Sequence, residues 1–191
     1  MKYEAKEFYT KSNLLSFFRL LLSIPVIYLF TIYDKSPNIR YYLVMLYLFG
    51  AITDMLDGYL ARKFNEITEL GKVIDPLADK AMIISIVVMM FAMDIISEFY
   101  FYLIILRDIL IFFGGIIVAK KLGRVLPSNL LGKMTVTSIG FYLIFATLNL
   151  ESLRIFDVSL YYISIFLSFL SLIGYAVRAK EALSWSKNET V

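Results

Sequence analysis

Cysteine and histidine are both missing from this sequence of 191 residues. Without cysteine there is no disulfide and no thiolate nucleophile, and without either residue the zinc sites built from sulfur and imidazole are excluded. No imidazole is on hand as a general base, so any catalysis falls to carboxylates, Lys, Arg, Tyr, Ser/Thr or a bound metal. Net charge is scarce too, at +3, which gives no footing for nucleic-acid binding. No linker, low-complexity segment or internal repeat interrupts the chain, so residues 1–191 read as one domain. The opening MKYEAKEFYTKSN has no small-residue cleavage site, so the first hydrophobic run is expected to stay as a membrane helix.

Apolar residues are what the chain has in excess. They make up 60% of it, aromatics 16%, and the mean hydropathy is +0.74. The apolar residues are gathered in six runs, roughly Leu14–Tyr33, Tyr41–Leu60, Ile74–Ile96, Phe99–Ala119, Met134–Leu150 and Val158–Val177. Each is close to the ~20 residues that a spanning helix needs. The expected fold is therefore an all-α integral membrane protein, a bundle of six transmembrane helices joined by short polar connections. With the N-terminus in the cytoplasm, 15 of the 19 Lys and Arg residues fall on that side. The excess of positive charge on inner loops then predicts both termini cytoplasmic, in the cytoplasmic membrane. For residues 1–12, where charge alternates with Tyr3, Phe8 and Tyr9, a short helix lying on the membrane surface and a disordered leader both fit.

The second and third runs meet at a dense polar pattern, D-x2-D-G-x2-A-R-x8-G-x3-D-x3-D, formed by Asp54, Asp57, Gly58, Ala61, Arg62, Gly71, Asp75 and Asp79. Charge beside hydrocarbon is costly and persists where something offsets it. Any one of these Asp residues alone reads equally well as a solvated helix end. With each residue type at roughly 5–10%, however, all eight at fixed spacing match by chance at about 10⁻¹⁰ to 10⁻⁸ per start position. Spacings of three and four put Asp54 with Asp57, and Asp75 with Asp79, on one face of their helices. Two antiparallel neighbours would bring the four carboxylates together at the cytoplasmic face. Hard oxygen ligands in that number suit one or two divalent ions, Mg²⁺, Mn²⁺ or Ca²⁺. Small residues at Gly58 and Ala61 admit a ligand close to the backbone, and Arg62 offers a planar fork for phosphate.

This pattern resembles the signature of the CDP-alcohol phosphotransferases, membrane enzymes that join an alcohol to the phosphatidyl group of a CDP-linked lipid and release CMP. Every signature position matches, and the six-run layout carries the resemblance over nearly the whole chain. The resemblance implies that Asp54, Asp57, Asp75 and Asp79 hold Mg²⁺ or Mn²⁺, and that Asp79 also accepts the proton of the acceptor hydroxyl. It implies CDP-diacylglycerol contacts at Asn13, Asp54, Gly58, Ala61, Arg62 and Gly71. It also implies a homodimer, as in many relatives.

The acceptor is read from other residues. Arg107 stands mid-run beside Asp108, Lys133 opens the fifth run, and Arg178 ends the sixth. Converging, the three cations would bind the phosphate of a phosphorylated alcohol, whereas singly they read as a structural ion pair or as interfacial anchors. Asn13-Leu-Leu-Ser16-Phe-Phe-Arg19 is similar to the N-x-x-T-x-x-R opening of phosphatidylglycerophosphate synthases, and Asp75-Pro-Leu-Ala-Asp79-Lys80 looks like that branch and the cardiolipin synthases. Ser128-Asn-Leu-Leu-Gly132-Lys133 resembles the segment before the fifth helix, but Val136 and Ile139 replace its usual polar continuation. Glycerol-3-phosphate is the expected acceptor, with inositol phosphate, phosphatidylglycerol and serine as alternatives. An ion-coupled transporter fits less well, because inverted repeats and helices broken at the midplane are not seen.

Overall fold

The computed structural model describes residues 10–64, 71–122 and 130–188, which form helices and short connections with no strand among them. The segment expected to lie on the membrane surface falls mostly in residues 1–9, outside the described residues. Helix α1, Lys11–Thr31, starts at Thr10. The Thr10 side-chain oxygen accepts from the Asn13 amide at 3.4 Å, taking up one of the donors that a helix start leaves over. After a 3-10 turn at Tyr33–Lys35, the Ser36 hydroxyl accepts from the Asn38 amide at 3.3 Å. Pro37 beside it needs no partner for an N–H it lacks, and α2 runs from Asn38 to Phe64. Helix α3 spans Gly71–Ala92, α4 Glu98–Leu122 and α5 Leu130–Leu148, and α6 follows a second 3-10 turn over Arg154–Asn188.

Five of these helices, α1, α2, α4, α5 and α6, are long and apolar enough to cross a bilayer. The exception is α3. Its 22 residues reach ~33 Å, but Lys72, Asp75, Asp79 and Lys80 crowd its first ten positions. The third and fifth helices stop at Ala92 and Leu148, short of the Ile96 and Leu150 expected from hydropathy. Each is closed by a residue in the left-handed region, Asp94 with φ 56° and Asn149 with φ 46°. After α3 the amide of Ile95 reaches Met90 O at 2.9 Å and that of Asp94 reaches Phe91 O at 3.0 Å. This is the paired closure that satisfies a helix's last carbonyls.

The helices gather into two compact units, divided between Ile95 and Ile96. In the first, α1 lies against α2 and α3. Leu22, Val26 and Phe30 of α1 are buried with Leu43 and Tyr47 of α2 and Ala78, Met82 and Ile86 of α3. Gly50 gives Met82 its room, since a Cβ there would sit 2.5 Å from the Met82 sulfur. In the second unit, α6 packs on α4 and α5 along a stripe of small buried side chains, Ser164, Ser168 and Ser171. The Tyr100 hydroxyl donates to Ser164 Oγ at 2.7 Å, because the single Ser164 proton is given to Tyr161 O. Outward the helices present Ile24, Tyr28, Met45, Met55, Phe112 and Phe166, a surface suited to lipid rather than water.

Candidate active site

The buried face of α1 changes character along its length. Beyond Leu22 it is apolar, but nearer its start, at spacings of three, it is Asn13, Ser16 and Arg19, all buried. That polar third lies against the polar parts of α2 and α3, and there the four motif carboxylates come together. Arg19 Nη1 donates to Asp54 Oδ1 at 2.9 Å and to Asp79 Oδ1, and its Nη2 donates to Asp57 Oδ2. The Ser16 hydroxyl lies 3.0 Å from Asp57 Oδ2 and 2.5 Å from Asp75 Oδ1. One guanidinium and one hydroxyl thus tie together both pairs, Asp54 with Asp57 on α2 and Asp75 with Asp79 on α3.

The four carboxylates do not share one environment. Asp57 is buried at 3% exposure, whereas the side chains of Asp54 and Asp79 are 50% and 42% exposed. The cluster therefore has a closed floor at Asp57 and an open rim. Gly58 is half-buried beside Asp57, and Gly71 is buried at the first residue of α3. Ala61 and Arg62 lie in the last turn of α2, and their side chains fall outside the described residues.

Chemically the donor set fits a hard divalent cation, with four carboxylates and a hydroxyl drawn from three helices. Among the described residues, no three acidic side chains are already spaced around a single ion. The position between them is taken by the guanidinium of Arg19. If all four carboxylates are ionised, one guanidinium leaves three formal negative charges in the group, so the cluster still attracts a cation.

Arg19 and Ser16 are the two functional positions that have no chemical role by sequence alone. In the sequence they stand out only as part of the N-x-x-S-x-x-R opening that resembles the phosphatidylglycerophosphate synthases. The available signal was the spacing of three from Asn13 to Ser16 to Arg19, which puts polar side chains on the face that must be buried.

The expected acceptor residues belong to the second unit. Arg107 of α4 is buried, with Nη1 donating to Asp108 Oδ1 at 2.8 Å and Nη2 to Ser171 Oγ at 3.2 Å. Lys133, near the start of α5, and Arg178, two turns beyond Ser171 on α6, have exposed side chains. The Arg107 contact with α6 joins it to Ser171, seven residues before Arg178 on the same helical face.

Residues 9–172 match the family described as CDP-alcohol phosphatidyltransferase. The chain is 35% identical over 149 residues to a CDP-diacylglycerol–glycerol-3-phosphate 3-phosphatidyltransferase of Aquifex aeolicus, covering 77% of this chain and 78% of that one. It is 29% identical over 171 residues to the protein of the same name from Wigglesworthia glossinidia brevipalpis, covering 84% and 90%. A cardiolipin synthase (CMP-forming)/mitochondrial hydrolase fusion protein of Schizosaccharomyces pombe is 37% identical over 103 residues, 54% of this chain and 16% of that one.

Proposed function

Because the chain belongs to the CDP-alcohol phosphatidyltransferase family, we propose that it transfers the phosphatidyl group of CDP-diacylglycerol to a hydroxyl of glycerol-3-phosphate. The products are CMP and phosphatidylglycerophosphate. The observation that carries this reading is the convergence of Asp54, Asp57, Asp75 and Asp79 on one hydrogen-bonded group at one end of three packed helices. Two relatives named for that reaction, similar over three quarters or more of this chain, support glycerol-3-phosphate as acceptor.

In this mechanism Asp54, Asp57, Asp75 and Asp79 hold Mg²⁺ or Mn²⁺, one ion or two. When bound, the cation neutralises charge that develops on the phosphoryl oxygens. Asp79, on the open rim, takes the proton from the attacking hydroxyl as its oxygen bonds to the phosphatidyl phosphorus and the bond to CMP breaks. Buried Asp57 anchors the group, and half-exposed Asp54 faces the substrate. Asn13, Gly58, Ala61, Arg62 and Gly71 line the CDP side, where glycines let the nucleotide approach the backbone. Arg107, Lys133 and Arg178 bind the acceptor phosphate, with Arg107 oriented beforehand by Asp108 and Ser171.

The same reading makes α3 the sixth span, sets both termini and the carboxylate cluster at the cytoplasmic face, and has the protein act as a homodimer in the cytoplasmic membrane. Phosphatidylglycerol is the second acceptor to weigh, favoured by the match to a cardiolipin synthase. The test is CMP release by the purified chain in detergent from CDP-diacylglycerol, with glycerol-3-phosphate, phosphatidylglycerol, inositol phosphate and serine supplied in parallel. Release with glycerol-3-phosphate alone is expected. Release with another acceptor alone would replace the substrate, and none with any would refute the transfer reaction.

A further inference from the structure

Arg19 is 1% exposed and among the largest fully buried side chains, yet what it is buried in is carboxylate. It bonds to one oxygen each of Asp54, Asp57 and Asp79, and so bridges both helices of the motif. Its Nε is buried without a hydrogen-bond partner among the described residues. A guanidinium does not lose its proton inside proteins, so it meets these carboxylates always as a cation. A buried orphan donor is costly, and the side chain accepts that cost in order to place its two terminal nitrogens among three carboxylates.

Resting on the reading that these carboxylates hold a divalent cation, we propose that Arg19 is a built-in competitor for that cation. In the cation-free protein its guanidinium holds the clustered carboxylates together. A divalent ion then enters by exchange, taking over oxygens that Arg19 had bonded, rather than by filling a preformed gap. Three observations make this exchange concrete. Arg19 stands where an ion would have to sit, between the pair on α2 and the pair on α3. No three acidic side chains among the described residues are spaced for an ion while it is there. Asp75 is held by Ser16 rather than by Arg19, so an incoming ion can engage this carboxylate before the guanidinium gives way. The exchange has two consequences. Four carboxylates are kept from forcing the three helices apart when no ion is bound, and cation affinity is set below what the same oxygens would give alone.

The test measures Mn²⁺ binding to the full chain in detergent, from the spin-resonance signal of free Mn²⁺, together with melting temperature in chelator and in saturating Mn²⁺. Arg19→Gln removes the competing charge at contact distance, so its Kd for Mn²⁺ should tighten by at least about tenfold. It should also melt lower than the wild type in chelator and gain more from Mn²⁺. Arg19→Lys keeps the charge and the fold but cannot bridge three carboxylates, and its Kd should tighten by about threefold. If Arg19→Gln does not fold, the lysine variant decides. Affinity equal to or weaker than the wild type's in the folded variants would overturn the proposal. If Asp57→Asn abolishes wild-type binding while the Arg19 changes leave its Kd unmoved, only the exchange fails. No saturable Mn²⁺ binding in any variant would refute the metal reading and the exchange together.

Discussion

Ser16 has one proton and two carboxylates within reach, Asp75 at 2.5 Å and Asp57 at 3.0 Å. A hydroxyl gives its proton to one acceptor at a time, so Ser16 links the two pairs without neutralising either. Arg107 is the same problem in the other unit. It is buried, paired with its neighbour Asp108 and with Ser171, and its Nε has no hydrogen-bond partner among the described residues. A cation already held by two partners and still carrying a free donor suits a third acceptor such as a phosphate oxygen. Replacing it removes a charge-assisted hydrogen bond of roughly 1.5–3 kcal/mol. We predict that Arg107→Gln raises the KM for glycerol-3-phosphate by about 10- to 100-fold, measured by CMP release. An unchanged KM would remove Arg107 from the acceptor site. At this scale the motif was legible from spacing alone, because three and four residues along a helix define a face whatever surrounds it. Arg19 was not, because its partners lie 35 to 60 positions away and only packing brings them near.

Helix extent follows hydropathy until a local backbone choice overrides it. Isoleucine, valine and methionine carry α3 to Ala92, and apolar Ile95 and Ile96 would prolong it by composition. Asp94 instead turns into the left-handed region, and the last carbonyls close on the amides of Asp94 and Ile95. That conformation costs roughly 1–2 kcal/mol for a residue with a Cβ, and less for Asp than for most. Glycine adopts it freely, though its unfolded chain has more freedom to lose. Asp94→Gly should therefore stabilise the protein by up to ~1 kcal/mol, read as a higher melting temperature in detergent; a fall would mean that the Asp94 side chain supports the turn. The same reasoning explains α5, which stops at Leu148 because Asn149 turns left-handed. The polar first half of α3 has a different origin. Asp75 and Asp79 belong to the carboxylate cluster, so the helix least like a membrane span by composition is the one the site requires.

For the whole molecule, what the sequence lacks becomes an instrument. The chain has no cysteine, so a single introduced thiol reports its own side of the membrane without background. Lys35 is exposed in the turn after α1, and Ser184 is exposed toward the end of α6. The distribution of positive charge predicts that a membrane-impermeant maleimide labels Lys35→Cys in intact cells and Ser184→Cys only after permeabilisation. The reverse pattern would invert the proposed orientation. Six helices could be counted from the apolar runs because hydropathy is a property of each run by itself. The division into two units and the burial of Arg19 could not, since both depend on which faces meet. If the four gathered carboxylates perform cation-dependent phosphatidyl transfer with Asp79 as the base, CMP release needs both the cation and that carboxylate. The most direct measurement is CMP release from CDP-diacylglycerol and glycerol-3-phosphate by the wild type and Asp79→Asn, with Mn²⁺ and with chelator. The wild type should release CMP only with the cation, and Asp79→Asn should fold normally yet lose at least about 10²-fold in rate. Undiminished release by Asp79→Asn, or by the wild type in chelator, would contradict it.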